Sequence, residues 1–388
     1  MKVAPFLLCT IVLSIPGFAA RGKPPENQSQ LQGEPLNEYA PAYNAPAAFD
    51  VDSKFGSCPH SDITLFFDAS FIYWYAGEEG LKIASNGVSN SGVSYFAYDT
   101  KVSSQSFDYH PGLKVAAGIM ANHEWTVLAE YTWLRGKSTH HSGARSGTES
   151  TEGTAAASSG TSVWVVDDWF LQGTSSGQAL SGSNVSSSWR LALDLIDAVA
   201  SRPFYQGRSV VMSPFAGLRT ALIRQSMTVN LTESAGLFAS LPSQPITSHN
   251  HSNSWGIGPR IGCDASWLLP MGFRLEGDFA ASLLYTKYTS VKHSEDIASA
   301  GFNPGPYTAS LHDYSCIRPM AELGLGFGWG QYIYNRDYHI DFSASYDFMM
   351  FWSQNMMRKL LDDTLTGTSP SSADLYLHGL TVTGRFDF

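Results

Sequence analysis

From Ile63 onward the chain alternates apolar and polar residues in segments long enough to cross a bilayer as tilted strands. Successive side chains of a strand point to opposite faces, so each parity marks one face. In 62–76, Ile63, Leu65, Phe67, Phe71, Tyr73 and Tyr75 oppose Thr64, Asp68 and Ser70. In 105–121, Leu113, Val115, Ala117 and Ile119 oppose Lys114, Ala116 and Gly118; in 124–136, Trp125, Val127, Ala129, Tyr131 and Trp133 oppose Thr126, Glu130 and Thr132. The Asn122-His123 turn makes these two a hairpin. The same pattern runs through 187–201, 210–225, 254–268, 272–288, 314–329, 338–352 and 374–388. In 187–201 it sets Trp189, Leu191, Leu193 and Leu195, read as outward, against Arg190 and Asp194.

Connections alternate strictly between long and short. Short ones fall near 122–123, 202–208, 269–271 and 330–336, and long ones near 77–104, 137–186, 229–252, 291–312 and 355–373. Such alternation predicts an all-β, transmembrane, antiparallel up-and-down barrel of about ten strands over 61–388, with short periplasmic turns and long external loops. Two further segments, Val93 to Tyr98 and Val163 to Phe170, would raise the number to twelve or more if they entered the wall.

The positions of charge sharpen this reading. An Arg or Lys facing lipid at the midplane costs roughly 2–4 kcal/mol. On the parities above, the inward face collects Asp68, Lys114, Glu130, Arg190, Asp194, Arg219, Arg260, Asp264, Arg274, Glu276, Asp278, Arg318, Glu322, Asp341 and Asp347, the candidate lining of a pore. Asp197 and Arg224 are the exceptions, near segment ends where the cost falls. The tryptophans 125, 133, 255, 267, 329 and 352 stand at outward segment ends, as interfacial girdles do. A soluble barrel has the opposite polarity. The final strand puts Leu380, Val382, Phe386 and Phe388 on one face, the pattern of a C-terminal signal for the barrel-assembly machinery.

Composition agrees with this class. Of 388 residues 43% are hydrophobic, 13% aromatic and only 15% charged, with a net charge of −10; soluble domains carry about 25% charged residues. No apolar run of about 18 residues follows the first twenty, which excludes a helical span. Residues 1–20 read as a signal peptide, with Lys2, an apolar stretch and small residues at Gly17, Ala19 and Ala20. The Pro-rich 21–60 reads as an extended periplasmic segment. Removal of Cys9 with the peptide leaves Cys58, Cys263 and Cys316. Three is odd, so a thiol stays free or pairs with another chain; Cys58 and Cys316 are the candidates for a disulfide, and Cys263 is read as a small apolar residue.

Several strands resemble the Legionella-type major outer membrane protein family, pore-forming proteins also found in chlamydia-related bacteria. The resemblance rests on Phe67-Asp68-Ala69-Ser70-Phe71-Ile72-Tyr73-Trp74, Glu130-Tyr131-Thr132-Trp133-Leu134, Pro214-Phe215-Ala216-Gly217-Leu218-Arg219 and Trp255-Gly256-Ile257-Gly258-Pro259-Arg260-Ile261-Gly262. It covers most of the chain from about residue 60 and implies an abundant pore in the bacterial outer membrane, with no catalytic residues to carry over.

The expected function is therefore porin-like passive diffusion of small hydrophilic solutes. The alternative is a non-conducting structural or adhesin-type barrel contacting host cells, in which the inward charges pair and plug the lumen, as small barrels are filled by side chains. His140-His141 and His249-Asn250-His251 lack a third metal ligand nearby in sequence, and no metal or other cofactor is expected. Asp167-Asp168 with His140 or His141 is the nearest approach to a hydrolytic constellation, and no enzyme is expected. Without a basic patch or phosphate loop, nucleic acid is not an expected partner. The expected partners are outer-membrane lipid, the assembly machinery, and either a homo-oligomer or disulfide-linked neighbours.

Overall fold

The computed structural model describes residues 63–90, 93–96, 101–121, 125–143, 161–165, 169–171, 181–206, 209–235, 246–297, 307–333, 338–365 and 373–388. The signal-peptide and Pro-rich segments, with Cys58, and the Asp167-Asp168 pair lie outside these residues.

Ten long strands build the wall: β1 (Ile63–Glu78), β2 (Tyr109–Ala121), β3 (Trp125–Gly143), β4 (Ser181–Ser201), β5 (Val210–Ala235), β6 (Ile246–Leu268), β7 (Phe273–Ile297), β8 (Tyr314–Ile333), β9 (Tyr338–Phe351) and β10 (Leu375–Asp387). Each is antiparallel to its neighbour, and β10 pairs back onto β1 from Phe66↔Asp387 to Glu78↔Leu375. Two backbone hydrogen bonds between Leu65 and Phe388, of 3.0 and 2.9 Å, complete the seam. Closure removes every exposed strand edge, which hydrocarbon requires because it offers unpaired backbone groups no partner.

The outer surface is a continuous apolar band. Phe67, Leu113, Val127, Leu218, Ile261, Phe279, Leu325, Phe342 and Val382 all point away from the lumen and are exposed. Trp125 and Trp267 stand outward at the turn end of the wall, and Trp133 and Trp255 farther toward the loops. About 9–11 residues suffice for a tilted strand to span a membrane. β5, β6 and β7 have 26, 23 and 25 residues, so their loop ends stand clear of the bilayer.

At the other end the connections are tight. The link from β6 to β7 is a single turn, Pro270–Gly272, in which Met271 and Gly272 take φ of 67° and 81°. A Cβ on Gly272 would lie 2.5 Å from the carbonyl oxygen of Gly330, so glycine is required there.

The two extra segments do form strands, Val93–Phe96 and Thr161–Val165, but neither enters the wall. Both pair with Lys82–Asn90, and Thr161–Val165 also bonds the loop end of β4. They continue the hydrogen-bonded sheet beyond the loop end of β4, and the barrel keeps ten strands.

One strand is turned over relative to its sequence reading. In β4, Trp189, Leu191, Leu193 and Leu195 are buried inside the barrel, whereas Arg190 faces outward and is exposed. Asp194 shares the outward parity and is covered by outward-facing neighbours on β3 and β5. The parity assignment used charge as a marker of the lumen. That marker fails here because the lumen at this height is apolar and the lipid-facing part of β4 is short, comprising Ile196, Ala198 and Ala200. Asp197, read as an outward exception, consequently points inward.

Candidate functional site in the barrel lumen

The lumen is built from alternate residues of all ten strands, and its content changes with height. At the loop end it is filled by an apolar cluster. Ile72 and Trp74 of β1, Leu134 of β3, Leu191, Leu193 and Leu195 of β4, Ile223 and Met227 of β5, Met349 and Phe351 of β9, and Leu375 and Leu377 of β10 pack together.

Leu81, Ile83 and Ala84 of the loop after β1 join this cluster, and two further pieces of external loop plug into it. The segment Trp169–Leu171 is buried, with the Trp169 indole donating to the Lys82 carbonyl at 2.5 Å and the Leu171 amide donating to Glu295. The second piece is helix α1 (Met356–Leu365). Its residues Met356, Met357, Leu360 and Leu361 face inward, at the i, i+3/i+4 spacing of one helix face. Asn355 caps it, its side-chain oxygen accepting the Arg358 amide at 3.1 Å, while its side-chain nitrogen donates to the Glu79 carbonyl at 3.0 Å. Pairs Arg358–Asp362 at 2.8 Å and Lys359–Asp363 at 2.9 Å brace its outer side.

Below the apolar cluster the lumen turns polar. A cavity of about 260 Å³ is lined by seven carboxylates, Asp68, Glu130, Asp197, Asp264, Asp278, Glu322 and Asp347, and by two cations, Lys114 and Arg260. Lys114 bridges Asp347 at 3.8 Å and Glu130 at 4.0 Å. Arg260 donates to Glu322 at 2.8 Å, and Arg219 clamps Asp197 through two nitrogens while also meeting Glu322. Asp264 and Asp278 are direct cross-strand partners on β6 and β7. Like charges at such a position repel, and both line the cavity.

At the turn end a second set of pairs fills the section. Arg274 clamps Asp341 through two nitrogens, one of them at 2.7 Å, and also reaches Glu276. Asp387 accepts from Arg385 and contacts the His339 ring, both at 2.8 Å.

Thirteen of the fifteen sequence-derived pore residues therefore share the inward face: Asp68, Lys114, Glu130, Arg219, Arg260, Asp264, Arg274, Glu276, Asp278, Arg318, Glu322, Asp341 and Asp347. Arg190 and Asp194 do not. Arg318 sits apart from the ion pairs, stacked over the Tyr288 ring at 5.7 Å and donating to the Met356 sulfur at 3.2 Å. Asp197, Glu78, and Arg385 and Asp387 on the polar parity of β10 face the lumen as well, beyond those fifteen. Asp197 stands directly across from Arg219 on the next strand, a signal that β4 parity set by this pair, rather than by the leucines, would have revealed. Glu78 caps the apolar cluster, accepting from Trp189 at 2.9 Å and Gln225 at 2.8 Å.

The remaining sequence candidates lie elsewhere. Cys316 is a free thiol on the inner face against the Met356 cluster, and Cys263, of outward parity, donates its thiol to the Asp264 carbonyl at 3.6 Å. His140 contacts the Ser103 and Ser142 hydroxyls, each at 2.9 Å. His249 faces Asp296 at 3.4 Å and His251 faces Ser290 at 3.3 Å. Among the described residues no group of three or more His, Cys, Asp or Glu is arranged to hold a metal.

By sequence, residues 57–388 match the family described as Legionella pneumophila major outer membrane protein precursor. No curated protein matches. Among solved structures the chain is similar, at low identity, to these three. The Escherichia coli outer membrane protease OmpT is 10% identical with a TM-score of 0.38, covering 86% of this chain and 99% of its own. A major outer membrane protein from Thermus thermophilus is 11% identical with a TM-score of 0.27, covering 84% and 100%. The Pseudomonas putida toluene transporter TodX is 8% identical with a TM-score of 0.24, covering 88% and 92%.

Proposed function

We propose that this chain, which belongs to the family of the Legionella pneumophila major outer membrane protein, is a narrow, gated pore of the outer membrane that passes small hydrophilic solutes and favours cations. The observation that carries the reading is the lumen cavity of about 260 Å³, where seven lining carboxylates outnumber the two lining cations together with Arg219 and Arg385, which pair with them from beside it. Rings of acidic side chains select cations by lowering their energy in a low-dielectric passage. In the described conformation the passage is shut toward the outside by Trp169–Leu171 and α1. Both are loop elements rather than wall, so opening starts with their withdrawal, which frees the wall side chains Trp74, Trp189, Leu193 and Ile223 to turn aside. Pairs such as Arg274–Asp341 set a second constriction near the turns.

The C-terminal strand, with Leu380, Val382, Phe386 and Phe388 on its lipid face, is the segment we assign to recognition by the assembly machinery.

Planar-bilayer recording of purified protein is the test. Wild type gives brief, small, cation-selective steps. Asp264→Asn with Asp278→Asn lowers the cation preference, and Met357→Asp in α1 lengthens the open time. A second reading, a closed structural or host-contacting surface barrel, is favoured by the packed external mouth. Absence of conductance steps in wild type and in Met357→Asp alike decides for it.

A further inference from the structure

The outward charges of this barrel are confined to one sector. On β8, β9, β10, β1 and β2 no Lys, Arg, Asp or Glu among the described residues points away from the lumen. The upper part of that sector carries rings instead: Tyr73, Tyr75, Tyr109, Tyr346, Tyr376 and His378 stack on one another. On β3, β4 and β5 the corresponding height carries Arg135, Lys137, Arg190 and Arg224 around a single carboxylate, Asp194.

The register places these groups on three adjacent rungs. Lys137 lies across from Arg190, Arg135 and Arg224 flank Ala192, and Trp133 and Leu222 flank Asp194. The next outward rung down is Tyr131, Ile196 and Thr220, where the apolar band begins. Neighbouring strands are about 4.8 Å apart, so the four cations crowd into a small area directly above hydrocarbon.

Asp194 organises the patch without neutralising it. Arg135 binds both its oxygens, at 2.8 and 2.9 Å, lies over the Trp133 ring at 5.1 Å and donates to the carbonyls of Leu134 and Leu193. The Tyr131 hydroxyl donates to the same carboxylate at 2.7 Å. Arg224 only grazes it at 3.5 Å and keeps 60% of its side chain exposed. Lys137 and Arg190 are exposed and have no ion-pair partner among the described residues. Farther along the rung of Lys137 and Arg190, past His251 on β6, stands the exposed Lys292, extending the positive field onto β7.

Like charges gathered at the rim of an apolar surface, with aromatic and aliphatic side chains immediately below, complement one kind of ligand. It must bring anionic groups at headgroup level and acyl chains beneath them. We infer that the loop-end outer face of β3–β5 docks a phosphate-bearing lipid of the outer leaflet. Arg190, Lys137 and Arg224 meet its phosphates, and its chains lie against Trp133, Leu222 and Ile196. Basic groups at a membrane surface attract anionic headgroups in this way, and guanidinium matches phosphate in geometry as well as charge.

The test uses the full barrel purified in a neutral detergent, with bound lipid read by native mass spectrometry. The probes are diphosphorylated lipid A, the same lipid enzymatically dephosphorylated, and inorganic phosphate. The expected result is retention of the diphosphorylated lipid and little of the dephosphorylated one. Inorganic phosphate at the same concentration should not displace it. Combined Lys137→Gln, Arg190→Gln and Arg224→Gln should weaken retention roughly a hundredfold, while Arg202→Gln, near the turns, should leave it unchanged. Equal retention of the two lipids by wild type overturns the proposal without any variant. Displacement by inorganic phosphate overturns the assignment to lipid in favour of a simple anion site. Undiminished binding by a folded triple variant, judged by the heat-dependent gel shift of intact barrels, places any lipid elsewhere.

Discussion

The two levels of the lumen solve the same packing problem in different ways. Near the loops, Trp74, Trp189, Leu193 and Ile223 meet in the middle with α1 and Trp169–Leu171 wedged among them. At the waist, Arg219, Asp197, Glu322 and Arg260 form ion pairs beside the lumen cavity. A closed strand ring fixes the backbone but leaves its interior free, since lipid dictates only the outward residues. The upper level is therefore a dry core like that of a soluble protein, and the waist is polar and partly open. The contrast separates an apolar stopper from a charged section, the two parts to which the proposed pore assigns closing and selection.

The largest expected effect comes from breaking the waist. Arg219→Ala leaves Asp197 buried with no guanidinium and should cost about 3–5 kcal/mol, read as a lower urea midpoint for unfolding from detergent micelles. The double variant Arg219→Met, Asp197→Leu should recover most of that loss, because an apolar pair can replace a buried ion pair. If it recovers stability and abolishes cation preference together, the charges at the waist serve passage rather than folding.

Next in size is the upper core. Leu193→Ala should cost about 2–5 kcal/mol by opening a cavity, with little change in ion preference. A large change in selectivity with unaltered stability would erase the distinction between the two levels. A smaller effect is expected at the α1 cap: Asn355→Ala should remove about 1 kcal/mol, which the helix feels locally, so single-channel openings become more frequent while the unfolding midpoint scarcely moves. Smallest of all is Arg190→Leu, within about 0.5 kcal/mol in stability, because the side chain stands outside. A loss comparable with that of Arg219→Ala would return Arg190 to the lumen.

Much of the wall is legible in the sequence because lipid applies the same demand to every strand. Phe67, Val127, Ile261, Leu325 and Val382 had to face outward, and the alternation of long and short connections followed from crossing a membrane back and forth. β4 resisted for a physical reason. Its leucines suit hydrocarbon and a dry lumen equally, and Arg190 and Asp194 stand high enough for a charge to face outward at low cost. Reading the charges as inward therefore inverted the whole strand, since a one-residue slip exchanges the faces.

Of the site, the charged residues were found because an inward charge needs no partner to be recognised by parity. Their pairing was not. Arg274 reaches Asp341 two strands away around the wall, across β8, and nothing in local spacing announces that. The stopper was invisible for another reason. Trp169-Phe170-Leu171 is a short apolar run in a Gly- and Ser-rich loop, indistinguishable from a strand end until its burial is seen.

The seam between β1 and β10 sets a condition on how the molecule comes into being. Ser70 and Thr383, which share a hydrogen bond of 2.8 Å, are 313 residues apart in the chain. Until residues beyond 375 have been delivered, every intermediate carries two unzipped flanks ready to join a stranger. Completion is then a single late event with a large loop-closure cost already met. A chain cut short by even one strand would forfeit the ring itself rather than a tenth of its stability.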